Sequence, residues 1–448
     1  MSFAVPSAMI RLTMIAVLAL TTAGCETVGD WFGSGEKPPL PGKRISVLAL
    51  ERKLEPDTDA AAAEFVLPEP VANTVWSHRS GRVDGAMHHL ALKARISQVW
   101  QADIGEGADD DRLLSVRPIV VGNRVFVMDT NARVTAFDTR SGKQVWRVGL
   151  ARRTESLGEI GGGLAYEDGL LVATTPFGEI FALEPASGRF YWRASIDGPI
   201  RGAPAIAGNR VFFLGNLNRM FALSLDTGKE LWRHQGLTEN AELIGAPTPA
   251  VSRDLVYAPY SSGEIYALRV DNGRPVWADT LVRSRQASAF GEINDLDADP
   301  VVDQGRVYIS GQGGYVAAFD AATGTRFWEQ NMSGNQTPWI AGDRVYMVTS
   351  SAELVAMTAD RGKILWVTQM PQYRDAKKKR DKITWNGPVL AGDRLFLVGD
   401  EGTIWTLSPQ NGDPLGRIKA SAPSSVGPVV ANGALYVLTN DGKLTAYR

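Results

Sequence analysis

One phrase recurs through the chain and limits what it can fold into. It first reads Ala136-Phe137-Asp138, then a turn from Thr139 to Lys143 that holds Gly142, then Trp146. It returns as Ala182-Leu183 through Gly188 to Trp192, Ala222-Leu223 through Gly228 to Trp232, and Ala267-Leu268 through Gly273 to Trp277. Two more copies run from Ala318-Phe319-Asp320 through Gly324 to Trp328, and from Ala356-Met357 through Gly362 to Trp366. A period of roughly 40–50 residues implies an array of supersecondary units, none of which buries its apolar face alone.

Within each unit an alternating apolar run ends at an Asp/Ser/Thr/Gly cluster, and a second run leads to Trp, which is the pattern of a hairpin. Upstream lies another pair of runs around Gly122-Asn123, Gly208-Asn209, Gly342-Asp343, Gly392-Asp393 or Asn432-Gly433. A further turn precedes the alanine strand, at Phe177-Gly178, Ser262-Gly263 and Asp441-Gly442 among others. Each unit therefore holds four short strands and three tight turns without sustained helical periodicity. That is one propeller blade, and the fold class is all-β.

The recurring indoles are expected to dock neighbouring blades. One indole buries about 150–250 Å², worth on the order of 4–6 kcal/mol gross. Trp100, Trp146, Trp192, Trp232, Trp277, Trp328 and Trp366 are assigned this role. Gln98-Val99-Trp100 reads as the last strand of a blade that lacks its first three, and those three stand at the C-terminus, at Pro428–Val430, Ala434–Val437 and Lys443–Tyr447. Joining the two ends closes a ring and removes two exposed edges. Six Trp-ended repeats, a degenerate one at Thr403–Arg417 with Gly416 in the Trp slot, and the split one make an eight-bladed β-propeller of four-stranded antiparallel blades.

The N-terminus lies outside the repeat. Arg11, an apolar run from Leu12 to Leu20 and the small residues Thr21–Gly24 form a secretory signal rather than a membrane span. Cys25, the only cysteine, follows directly, so Ala23-Gly24-Cys25 resembles a lipoprotein signal in which Cys25 is lipidated, with Thr22 where the pattern prefers Leu. An ordinary cleaved signal with a leftover thiol is the competing reading. Residues 25–73 carry Lys37-Pro38-Pro39-Leu40-Pro41 and Leu67-Pro68-Glu69-Pro70 and read as an extended tether. The propeller is expected over 74–448, with Val75-Trp76 packed on the outside of the ring.

Composition removes other functions. A formal net charge of −2 over 448 residues gives no general attraction to nucleic acid. With Cys25 alone in the signal there is no vicinal cysteine pair and no Cys-x-x-Cys-His haem site, so no cofactor is expected. His88-His89 point apart on an extended chain and make a poor zinc site. Lys377-Lys378-Lys379-Arg380, with Lys382, suits anionic lipid heads or an acidic partner, and equally a plain solvated loop.

The alanine-aromatic, Thr-Gly-Lys and Trp pattern over residues 96–448 is similar to the repeat of the pyrroloquinoline-quinone (PQQ) propellers. With the lipoprotein signal and split blade, the whole chain resembles the BamB family of outer-membrane lipoproteins. That resemblance implies a non-enzymatic scaffold, lipid-anchored on the periplasmic face of the outer membrane. It would bind BamA and other assembly-machinery subunits and aid insertion of β-barrel proteins, with unfolded outer-membrane proteins as transient partners. Asp295 and Asp297 match the family's paired-acid contact loop; Leu243 matches its apolar strip, and Ile244 stands where the family has Arg. Solvated acids and a calcium site are the alternatives for Asp295, Asp297 and Asp299. A PQQ-binding enzyme or sensor, or an interaction propeller of another envelope complex, are the alternatives for the whole.

Overall fold

The computed structural model describes residues 54–61, 65–150, 161–238, 247–281, 296, 298–312, 314–334 and 336–448. Leu54–Arg448 forms one unit, built almost entirely of short antiparallel strands. Eight sheets follow in chain order: blade 1 over 119–149, blade 2 over 163–195, blade 3 over 205–235 and blade 4 over 250–280. Blades 5, 6 and 7 span 301–330, 339–369 and 385–419. Blade 8 takes three strands from 429–447 and its fourth, Gln98–Asp103, from the other end of the chain. The ring thus closes as the sequence predicts, and the backbones of Ser97 and Arg448 exchange two bonds of 2.9 Å across the junction.

Burial explains the residue choice strand by strand. First strands are short and buried, and those of successive blades adjoin one another, which makes them the innermost layer. Second and third strands are covered on both faces, so Val125-Phe126-Val127-Met128 and Val134–Phe137 are buried without a polar alternation. Fourth strands alternate: in Gln144–Gly149 the indole of Trp146 turns in while Gln144, Val145 and Arg147 face out. The recurring alanine sits directly across from the indole, in pairs such as Ala136 with Trp146, Ala222 with Trp232, Ala267 with Trp277 and Ala446 with Trp100. Directly opposed Cβ atoms lie only about 5 Å apart, so a methyl group leaves room for the larger ring.

Each indole then reaches the next blade. Trp100, Trp146, Trp192, Trp232, Trp277 and Trp328 donate their Nε1–H, over 2.7–3.0 Å, to the carbonyls of Thr139, Pro185, Leu225, Val270, Ala321 and Ala359. Three residues beyond each of those carbonyls stands the turn glycine, with φ near +70°. A Cβ on Gly273 would fall 2.5 Å from the Trp232 ring. Trp366 lies against Gly412 in the same way. Glycine is required there twice over, for the left-handed backbone and for the close approach of the indole. Gly416 occupies the Trp slot of blade 7 for a related reason: the turn it would face belongs to blade 8, where the chain ends at Arg448 and restarts at Ser97. With no turn glycine there, an indole would have no seat.

The N-terminal segment departs from expectation. Trp76 is fully buried, and Val75 and Trp76 pair with Val121 and Val120 on the innermost strand of blade 1, not on the outside. Residues 71–92 form a belt that visits the inner strands of the blades in ring order. Asn73 O accepts from Asn432 N of blade 8, Ser77 O from Tyr166 N of blade 2 and the His78 ring from Ile206 N of blade 3. Val83 O and Asp84 O accept from Val251 N of blade 4 and Val302 N of blade 5. His88 O accepts from the Trp339 indole of blade 6, and Leu90 both gives to and takes from the backbone of blade 7. The circuit closes on itself, because Val71 N bonds His89 O at 2.9 Å and Ala91 N bonds Val71 O at 2.8 Å. Inner strands would otherwise leave an unpaired buried edge, and the belt supplies the acceptors.

Two outcomes test this architecture. Trp232→Ala is expected to lower stability by about 3–5 kcal/mol, and Gly273→Ala to destabilise with the indole still present; Val276→Ala, on the exposed side of the neighbouring fourth strand, should stay within about 0.5 kcal/mol. Urea unfolding of the three variants checks the order. The second outcome concerns pH. Burial pulls the His78 imidazole down to about 4, by desolvation of the charged ring, and the neutral ring accepts from Ile206 N at Nε2. The unfolded chain takes up that proton near pH 6.5 and the folded one does not, so this stabilisation is complete above pH 6.5 and is lost as pH falls towards 4. The loss is on the order of 3 kcal/mol. His88 works in the opposite sense, since its hydrogen bond to Asp303 raises it. Subtracting His78→Gln from the native protein in thermal scans between pH 7 and pH 4 isolates the His78 contribution; parallel curves would refute it.

Candidate partner-binding face

In each blade the chain leaves the fourth strand, crosses to the first strand of the next blade, and does so on the face that also carries the turn between second and third strands. Two such connections flank blade 4: residues 236–249 enter it and residues 281–300 leave it. The first holds Leu243 and Ile244 and the second Asp295 and Asp297; all four lie outside the described residues, as does Cys25. What is described is how the two connections are anchored.

Asp299 is the anchor of both. It is 2% exposed, unlike the solvated acid that its place beside Asp295 and Asp297 suggests. One carboxylate oxygen takes Thr248 N at 2.7 Å, at the end of the first connection, and lies 3.3 Å from Arg79 Nη1 of the belt. The other takes the hydroxyl of Ser80. Its own backbone N–H goes to Thr337 Oγ1 at 3.3 Å, at the entry to blade 6. A single residue thus joins the belt to three successive connections. A buried acid must be paired in this way, because leaving it unpaired costs several kcal/mol.

At its near end the first connection is held by Glu264, which is also buried. Oε2 accepts from Leu237 N at 2.8 Å and from Ser262 Oγ at 2.8 Å, and Oε1 from the Tyr266 hydroxyl at 3.2 Å. His234 packs beside this group with Nδ1 at 2.7 Å from Tyr260 Oη, and desolvation lowers its pKa. These bonds present two leucines to solvent: Leu217 is 43% exposed and Leu237 63%. Asn218 Nδ2 grips Leu237 O at 2.7 Å and Gln235 Nε2 grips Leu217 O at 2.6 Å, so the pair is fixed on the face next to the connection that carries Leu243. Sequence reasoning missed both leucines and Glu264, and it named Asp299 only as a loop acid beside Asp295 and Asp297, not as a buried anchor. The apolar Leu217 in a turn otherwise made of Asn216 and Asn218 was the available signal.

The basic run lies on the same face. Tyr373–Asp375 pairs with Arg380–Lys382 in a hairpin whose tip is Lys377-Lys378-Lys379, and Arg374 Nη2 ties its base to Asp400 Oδ1 at 3.1 Å. The two adjacent histidines go to different blades. His88 Nε2 meets Asp303 at 3.4 Å, while His89 binds Pro68 O through Nδ1 and accepts from Asp393 N at Nε2. No three His, Cys, Asp or Glu side chains converge for a metal among the described residues.

Comparison with known proteins agrees with this architecture. The family model described as outer membrane protein assembly factor BamB matches residues 89–157, 130–369 and 359–448. Outer membrane protein assembly factor BamB of Yersinia pestis is 24% identical over 360 residues, 78% of this chain and 88% of the relative. The protein of the same name from Xanthomonas campestris pv. campestris is 24% identical over 444 residues, 98% of this chain and 97% of the relative. Among solved structures, BamB from Moraxella catarrhalis superposes with a TM-score of 0.67 at 21% identity, covering 79% of this chain and all of that one. A europium-containing methanol dehydrogenase reaches 0.66 at 13% identity, over 84% of this chain and 98% of that one, which is likeness of fold alone. By the span of the family match and the eight closed blades, the chain belongs to the outer membrane protein assembly factor BamB family.

Proposed function

We propose that the protein is a non-enzymatic scaffold of the machinery that assembles β-barrel proteins in the outer membrane. Cys25 carries the lipid that holds it on the periplasmic side; of the expected 25–73 tether, the part before the segment bonded to blade 6, residues 25–53, serves as the link; and the face bearing Asp295, Asp297, Leu243 and Ile244 binds the periplasmic domains of BamA. The observation that carries this reading is the anchoring of both connections around blade 4 by Asp299, through Thr248 N and the belt. A rigid base lets two loops offer acids and apolar groups together, and preorganised surfaces lose less entropy on binding. Leu217 and Leu237 extend the apolar part of that surface.

A quinone enzyme is not favoured. The inner strands that would surround a cofactor are already bonded to the belt, and the cavity between belt and blades 6 and 7 holds about one water-sized group, far less than a tricyclic quinone needs.

Outer blade edges offer a second binding mode. The residue before the docking indole is exposed in most blades, as at Val99, Val145, Leu231, Val276 and Phe327. In blade 6 the equivalent Leu365 is 9% exposed, because Ala60 and its neighbours cover it and Asp57 N donates to Ile364 O at 2.8 Å. The chain's own segment 54–61, which ends in a helical turn at Thr58–Ala61, thus covers one outer edge through a single backbone bond, and the uncovered edges of other blades are left for an unfolded barrel strand to pair with by β-augmentation.

Co-purification from detergent-solubilised envelopes tests the main reading. Asp295→Ala/Asp297→Ala is expected to cut recovery of BamA about tenfold, roughly 1.4 kcal/mol, with an unchanged melting temperature. Equal recovery would move the interface elsewhere, and absence of every assembly subunit from the native pull-down would reject the role itself. For the edges, deleting residues 54–61 is expected to add one binding site for a synthetic barrel-strand peptide in fluorescence titration; unchanged stoichiometry would eliminate that mode.

A further inference from the structure

Between the belt and the ring lies a small cavity lined by Trp76, Ser80, Gly85, Arg117, Thr337 and the start of blade 6. Three of its lining side chains carry donors. The indole Nε1–H of Trp76, a residue with no exposed surface, has no hydrogen-bond partner. The hydroxyl oxygen of Thr337 accepts from Asp299 N, which leaves its proton to point elsewhere. Arg117 brings a guanidinium that donates to the Arg79 carbonyl over a long 3.5 Å. No carboxylate lines the space.

Among the described residues, Arg79 and Arg117 stand close enough to repel, and the carboxylate that acts on Arg117, Asp299, is already engaged by Arg79, Ser80 and Thr248. Arg117 keeps surface that a water molecule could touch, yet lies so deep that desolvation, then Arg79, pull its pKa down to about 10. It remains a cation at neutral pH. A deeply placed cation whose nearby carboxylate is already shared with other donors is costly, and an unpaired buried indole N–H adds to that cost.

We propose that this cavity binds one small monovalent anion of the halide class, held by the Trp76 indole, the Arg117 guanidinium and the Thr337 hydroxyl. Space excludes anything much larger than a water molecule, and three donors, one of them a cation, select an anion over water. The ion would join the belt, through Trp76, to the approach to blade 1 and the entry to blade 6, and so lock the belt inside the ring. The inference is independent of partner binding.

Thermal unfolding of the full chain at fixed ionic strength and pH 7.5 tests it, with sodium chloride or bromide replacing sodium gluconate. The native protein is expected to gain about 2–4 °C, saturating with halide concentration. Arg117→Leu should show no difference between the salts. If that variant does not fold, a crystal of the native protein soaked in bromide gives a second readout, with an anomalous peak expected between Trp76, Arg117 and Thr337. Equal melting in halide and gluconate, or a bromide soak that leaves only water at that position, would overturn the proposal.

Discussion

Everything in this propeller depends on an indole seated on a glycine turn of the neighbouring blade. The alanine across the ladder makes room for the ring, the fourth strand aims it, and the turn glycine lets backbone come close enough for Nε1–H to reach a carbonyl. The joint combines apolar burial with one satisfied polar group, so it is directional as well as strong. Repeated from blade 8 through blade 7, it leaves only the junction between blades 7 and 8 without an indole. There the first strands of the two blades adjoin, and Asn386 Nδ2 of blade 7 donates to Ser424 O on the connection into blade 8 at 3.3 Å.

A ring of sheets solves the outer joints and creates an inner problem. Eight first strands converge with one backbone edge each unpaired. The belt of residues 71–92 answers with an acceptor or a short ladder at each blade in turn, and closes on itself through Val71 and His89. Its polar centre is Asp299, which ties belt and inter-blade connections into one network. The face proposed for partner binding is therefore coupled to the centre of the ring through hydrogen bonds, not merely supported by packing. Coupling of that kind makes the anchored ends of its connections, at Thr248 and Asp299, costly to displace.

Much of the fold was legible in the sequence because it is periodic. Trp100, Trp146, Trp192, Trp232, Trp277, Trp328 and Trp366, with their alanines and glycines, announce strand order, blade number and closure. Even Gly416 was visible as an exception, although its reason appears only once the split blade is closed. The belt was not legible. Its residues follow no period, and their partners lie up to about 360 positions away, so nothing local marks Trp76 as inward rather than outward. Asp299 was hidden for a related reason: it shares a spacing of two with Asp295 and Asp297, and only the approach of Thr248, Ser80 and Arg79 distinguishes it from them.

The sequence by itself determined the architecture, since a repeated phrase with one docking residue per copy can satisfy its apolar surfaces only by stacking copies into a closed ring. It also settled the family through the same phrase. Tertiary structure decided what fills the ring and which polar groups are used for support. Those choices rest on buried hydrogen bonds between single residues far apart in the chain, where the cost of an unpaired buried group, not any local preference, sets the partner.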